Sequence, residues 1–270
     1  MSVATMLPVL SYRRLTGPRH GVVTTARSHT RRMELKGANV LVTGASRGLG
    51  YETAELLARR GARLAIVARS GEQLEFAAAR LRELTDVASV AADVSEEAER
   101  IVAATVARFG PVDILVNNAS ELGPTPMPPL ESLSWEVFAR ILRVNAIAPL
   151  HLTQLVLPAM RKRGSGTILN ITSDAGVNAY PGWGGYGASK ASLEHLSRTL
   201  IAELDGSGVR VLLVDPGDMN TEMHRLAEPG VDLSRLPHPK EVAPALVSLL
   251  ENDAFAAGRY QAQELEHIHA

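Results

Sequence analysis

Tyr186 and Lys190 stand four residues apart in "GWGGYGASK" (182–190). On a helix, positions i and i+4 share a face. A free phenol has a pKa of about 10 and is a poor base at neutral pH. An adjacent ammonium favours phenolate, and each tenfold change in that equilibrium is worth about 1.36 kcal/mol. Lys190 could therefore bring Tyr186 into the range where it trades protons with a substrate oxygen. The glycines around the phenol leave room for that substrate. For an isolated Y-x-x-x-K, the plainer alternative is a tyrosine packed at a helix start beside a solvated lysine. Lysine is scarce here, however: Lys36, Lys162, Lys190 and Lys240 are four among 28 basic residues. Arginine, with its fixed charge and planar fork, could hardly replace it in this task.

Ser173 lies 13 residues before Tyr186, at the end of an apolar run. Its hydroxyl could hold a substrate carbonyl while tyrosine supplies the proton. Asn145, in "RVNAIAP", is a poor helix-interior residue; it could bind a water behind the lysine or mark a helix irregularity. Upstream, "TGASRGLG" (43–50) places Gly44, Gly48 and Gly50 just after a short apolar run. Glycines at a strand-to-helix turn let the backbone approach a pyrophosphate, which a helix N-terminus attracts. The spacing is G-x-x-x-G-x-G, so a plain turn is the competing reading. An acid after the second strand would bind a ribose 2′-hydroxyl and repel a 2′-phosphate. The chain offers Ala68 and Arg69 there, and Arg47 inside the turn, which favours NADP(H) over NAD(H). Two solvated surface arginines are the alternative. Asp93 could accept from an adenine amine or cap the helix behind it.

Positioning these groups requires a scaffold whose strand ends converge. "NVLVTG" (39–44), "RLAIVA" (63–68), "ASVAAD" (88–93), "VDILVNNA" (112–119), "GTILNITS" (166–173) and "VRVLLVDPG" (209–217) read as buried strands. Helical spacing fills the intervals: 49–60, 71–84, a third helix opened by Ser95 as N-cap with Glu96 and Glu97, a long helix from Ser134 towards Met160, and Gly185 to Leu204. Strands apolar throughout and joined by amphipathic helices imply an α/β fold with a doubly wound parallel sheet, its crevice at the carboxyl ends of the strands. The irregular "ELGPTPMPPLES" (121–132) follows one such end and should line that crevice.

The 270 residues fit one domain, and a net charge of −1 gives no field to hold nucleic acid or an anionic membrane. There is no cysteine, which excludes disulfides and thiolate chemistry and agrees with a reducing, cytoplasmic setting. No apolar run is long enough to span a bilayer, and no metal site is expected. Residues 1–33 carry Arg13, Arg14, Arg19, Arg27, Arg31 and Arg32 and no acid. They read as a disordered extension or an upstream start ahead of Met33, with a transit peptide as the alternative. The domain then covers 34–263, and 264–270 should be a flexible tail. Asn118-Ala-Ser120 and Asn170-Ile-Thr172 match glycosylation acceptors formally, and neither is read as used.

"TGASRGLG", "NNAS", Asn145, "ITS", "YGASK" and "DPGDMNT", in this order and spacing, resemble the short-chain dehydrogenase/reductase superfamily over about residues 36–225. The resemblance implies a Rossmann-type sheet of about seven parallel strands. It also implies hydride transfer between a nicotinamide and a carbonyl or alcohol carbon. It assigns Tyr186 as general acid/base, with Lys190 lowering its pKa and binding the nicotinamide ribose. Ser173 would orient the substrate and Asn145 would hold a proton-relay water. The cofactor-binding set it implies is Thr43, Gly44, Ser46, Arg47, Gly48, Leu49 and Gly50 in the turn, then Arg69, Asp93, Val94, Asn117, Ala119 and Lys190, and finally Pro216, Gly217 and Thr221. A homodimer or homotetramer is expected.

Three features depart from the family's pattern. Ser120 stands where glycine usually follows "NNA". "VDPGD" replaces asparagine-proline-glycine, so Asp215 and Asp218 change the local charge. "GRYQAQ" stands in place of a "DGG"-type terminus, which bears on tetramer packing. Trp183, Tyr180, Met219, Met223 and His224 could line the substrate pocket or simply pack. The favoured function is NADPH-dependent reduction of a ketone or aldehyde. An NAD(P)-dependent alcohol dehydrogenase and a non-catalytic NADP-binding redox sensor are the alternatives.

Overall fold

The computed structural model describes residues 34–268; the arginine-rich segment 1–33 lies outside them. Seven parallel strands form one sheet: β1 (Asn39–Thr43), β2 (Arg63–Ala68), β3 (Val87–Ala91), β4 (Ile114–Asn117), β5 (Gly166–Ile171), β6 (Val209–Asp215) and β7 (Gly258–Gln261). Their order is β3-β2-β1-β4-β5-β6-β7, so the winding reverses between β1 and β4. The helices are α1 (Gly48–Arg59), α2 (Gly71–Arg82), α3 (Ala98–Phe109), α4 (Trp135–Leu142), α5 (Ala148–Arg163), α6 (Gly184–Glu203), α7 (Glu222–Ala227) and α8 (Pro239–Glu251).

Side chains alternate across each strand. Val40 and Val42 of β1 enter one core with Leu57 of α1, Leu81 of α2 and Leu246 of α8. Leu41 enters the opposite core with Ile101 of α3 and Leu152 of α5. Both faces are covered, which is why the middle residues of β1, β2 and β4 are apolar on both sides. Among the described residues, no helix is long and apolar enough to cross a membrane.

The structure corrects two local expectations and adds two helices. Ser95 does not cap the third helix. Asp93 Oδ1 accepts from the Ser95 amide at 2.9 Å and from its hydroxyl at 2.6 Å, and α3 starts only at Ala98. The long helix does begin at Ser134, whose hydroxyl accepts from the Val137 amide. It is then broken by a π-turn over Arg143–Ile147 before continuing to Arg163. Helices α7 and α8 were not anticipated, although His238 and Glu241 form a reciprocal capping box at the start of α8. From Ala262 the chain runs on as a 3-10 helix to Ile268, with Leu265 in the core; the last two residues of the expected tail lie outside the described residues.

"GRYQ" is the seventh strand, and Arg259 secures it. Its Nε donates to Glu194 Oε1 at 2.9 Å and its NH2 nitrogen to Asp215 Oδ2 at 3.0 Å. The two carboxylate side chains are only 1% and 5% exposed. Arg259→Met would leave both facing the interior without that cation. Breaking a buried ion pair from one side costs about 3–5 kcal/mol. The urea unfolding midpoint of the variant should fall accordingly, and an unchanged midpoint would contradict this account.

Candidate active site

The carboxyl ends of the strands open onto a cavity of about 420 Å³, within the range of small-molecule sites. The turn from β1 into α1 forms one wall. Gly44 and Gly48 have φ of 65° and 58°, in the left-handed region that favours glycine. At Gly50, a Cβ would stand 2.3 Å from the Gly44 carbonyl oxygen and 2.4 Å from Asn118 Nδ2, so the turn closes onto α1 only over a hydrogen. At Gly48, by contrast, a Cβ would meet nothing within 4 Å. No side chain caps α1, and no acid lies in its first turn. The amides there remain open to an anion, which fits a pyrophosphate.

Of the residues expected to hold a cofactor, Gly44, Ser46, Arg47, Leu49, Arg69, Asp93, Val94, Ala119, Lys190, Pro216, Gly217 and Thr221 line the cavity. Thr43, Gly48, Gly50 and Asn117 are not among its lining residues. Thr43 Oγ1 instead accepts from the amides of Asn118 at 3.0 Å and Ala119 at 3.1 Å, joining the ends of β1 and β4. Asn117 donates across to Asn170 Oδ1 at 2.8 Å, between β4 and β5. Its neighbour Asn118, which sequence reasoning passed over as a binding residue, lines the cavity and donates to the carbonyls of Thr43 and Gly44 at 3.0 Å each. The doubled asparagine of "NNAS" was the available signal. Arg47 forms an ion pair with Glu222 of α7, and Arg69 lies 3.8 Å from Glu121.

Ser173, Tyr186 and Lys190 meet in the same cavity. Tyr186 and Lys190 lie on one face of α6, both buried, with Lys190 Nζ 5.5 Å from the phenol ring centroid. The ammonium donates to the Ile171 carbonyl at 2.8 Å. Burial lowers the pKa of Lys190 to about 8, against an opposing pull from Asp215. Burial also pushes Tyr186 up to about 12. The hydroxyls of Ser120 and Ser173 oppose that rise, and Asp215 and Asp174 add to it. Loss of water around the phenol is the largest cause of that rise. Tyr186 is a phenol at neutral pH.

Asn145 sits in the π-turn, buried and off the cavity wall. Its Oδ1 accepts from the Glu121 amide at 2.8 Å and the Ser120 hydroxyl at 3.2 Å. Its Nδ2 donates to the Glu121 carbonyl at 2.8 Å and to Ser189 Oγ at 2.9 Å. Ser189 in turn donates to the Tyr186 carbonyl at 2.6 Å. Asn145 therefore marks the helix irregularity, and it also ties the loop after β4 to the start of α6.

A family model described as short chain dehydrogenase matches residues 38–231. The chain belongs to the short-chain dehydrogenase family. It is therefore an oxidoreductase acting on a CH–OH/C=O pair. An uncharacterised oxidoreductase of Thermotoga maritima is 37% identical over 191 residues, covering 70% of this chain and 75% of its own. The solved structure of NAD+-bound xylitol dehydrogenase superposes with a TM-score of 0.76 at 27% identity, covering 85% of this chain and 98% of its own. A metagenomic short-chain oxidoreductase in complex with NADP gives 0.72 at 29%, covering 85% and 97%.

In this short-chain dehydrogenase, the side of the cavity around Tyr186 is walled by Leu122, Trp183, Met223 and Ala227, and Met219 and His224 also line the cavity. Tyr180 packs edge-on against Trp183 and donates to Asp174 Oδ2 at 2.6 Å, so it supports the wall. Leu122 comes from the irregular stretch 121–132 that the sequence placed at the crevice, and Asp174 opens the stretch 174–185 expected to shape the pocket, although neither residue was singled out.

Proposed function

We propose that the protein reduces a ketone or aldehyde with NADPH, Tyr186 giving the proton. The observation that carries this reading is the Tyr186 phenol on the cavity wall, with Ser173 in the same cavity and Lys190 Nζ 5.5 Å from its ring centroid. A phenol positioned against a carbonyl oxygen can give up its proton as that oxygen gains charge. When bound, NADPH would supply a hydride to the carbonyl carbon. Gly44, Gly48 and the first turn of α1 would hold the pyrophosphate. Ser173 would orient the carbonyl oxygen, and Lys190 would place a positive charge beside the site. Leu122, Trp183, Met223 and Ala227 suit an apolar body next to the reacting carbon.

Arg47 and Arg69 would take the 2′-phosphate. Their acidic partners are no obstacle: the Arg47–Glu222 pair is exposed and contributes little, Glu121 keeps Arg140 when Arg69 turns away, and a phosphate dianion fits the guanidinium fork better. No carboxylate follows β2 to favour a bare ribose. Replacing either arginine with alanine should weaken NADPH binding relative to NADH by about 10–100-fold, the worth of a hydrogen bond to a charged group. Fluorescence titration of both cofactors checks this. Variants that bind both as the wild type does would overturn the assignment of NADPH to these residues.

A further inference from the structure

The hydroxyls of Ser173 and Ser120 both line the cavity with Tyr186, and the two are not equally free. Ser173 donates to Asp174 Oδ1 at 3.2 Å while accepting from the Ala175 amide at 3.2 Å. Turning its O–H away would leave a carboxylate oxygen without that donor. Ser120 donates to Asn145 Oδ1 at 3.2 Å, and that oxygen has a second, shorter bond from the Glu121 amide at 2.8 Å. Asn145 Oδ1 therefore stays satisfied when Ser120 turns away. The hydroxyl shares the cavity wall with the Tyr186 phenol and opposes the rise of its pKa. A glycine at this position would offer no such group.

We propose that Ser120 is a further catalytic residue, whose O–H swings from Asn145 Oδ1 to the Tyr186 oxygen as that oxygen loses its proton. The inference rests on the reading of Tyr186 as proton donor. In the reductive step the phenol O–H bond breaks and an O–H bond forms on the former carbonyl oxygen, whose carbon receives the hydride and its electron pair from NADPH. Ser120 transfers nothing. In the ground state it donates to Asn145 Oδ1; after the transfer it donates to the phenolate. The interaction strengthens as charge develops, so it acts on the transition state and not on substrate binding.

The test compares Ser120→Ala, Ser120→Gly and Ser120→Thr with the wild type and Tyr186→Phe. Protein labelled with 13C at the tyrosine ζ carbon reports the hydrogen bonding of the phenol without any turnover, and Tyr186→Phe assigns the signal. The Tyr186 signal should move in the alanine and glycine variants and return towards its wild-type position in threonine. With a carbonyl compound that the wild type reduces, kcat should fall about 10–100-fold at unchanged KM in alanine and glycine, and recover in threonine. An unmoved signal, or a kcat within about twofold of wild type, would overturn the proposal, since a hydrogen bond to a charged group is worth more than that. Full activity in Tyr186→Phe would instead sink the proton-donor reading beneath it. An inactive Tyr186→Phe beside a fully active Ser120→Ala would sink the Ser120 inference alone.

Discussion

Lys190→Met should make the protein more stable at neutral pH while lowering turnover at least about a hundredfold. Burial lowers the lysine from 10.5 to about 8, so below that pH the folded state carries an ammonium it would rather release. That lowering corresponds to a penalty on the order of 3 kcal/mol, reduced by about 1 kcal/mol for the lost bond to the Ile171 carbonyl. Between about 8 and 10.5 the unfolded chain holds this proton and the folded chain does not. Wild-type stability therefore rises with pH through that window, as the linkage relation requires. The advantage of Lys190→Met should be full below about 8 and vanish near 10.5. Urea unfolding at several pH values checks both sign and window. A Lys190→Met protein less stable than wild type at neutral pH would show that the buried ammonium is compensated in a way the structure does not contain.

Tyr186→Phe should lower kcat about 10²–10⁴-fold, the usual worth of a positioned acid or base. Phenylalanine keeps the ring packed against Trp183, whose centroid is 5.7 Å away, and removes only the oxygen. Cofactor affinity should not change, because the glycine turn and the arginines belong to other elements, at the ends of β1 and β2. The folded state also loses a group that holds its proton until about pH 12. Wild type binds that proton between 10 and about 12 when the unfolded chain has released it, so its stability falls with rising pH there. The variant should lack that fall. Rates and cofactor titrations measured together separate loss of the proton donor from loss of binding.

The sheet was legible because its strands are buried on both faces. "RLAIVA" is apolar at nearly every position and appears in the structure over the residues read from the chain. The helix boundaries were harder where a side chain chose between two local bonds. Asp93 captured Ser95 in a turn, and the N-cap of α3 lies at Glu97 in place of Ser95. Asn145 could be singled out as a misfit in a helix, but its bonds to Glu121 and Ser189 depend on a loop whose path no periodicity encodes. The pairing of Tyr186 with Lys190 on one face of α6 followed from spacing alone. The rise of Tyr186 to about 12 did not, because burial is a property of the folded surroundings. Arg259 gave no signal either, since its partners Glu194 and Asp215 lie 65 and 44 residues away.

The most direct test of the central claim is the rate of NADPH oxidation across a panel of ketones, diketones, quinones and aldehydes, with Tyr186→Phe run beside the wild type. The account predicts turnover of at least one carbonyl by the wild type, its loss in Tyr186→Phe, and equal NADPH affinity in both. Tight NADPH binding with no turnover of any carbonyl, or turnover that survives in Tyr186→Phe, would contradict it.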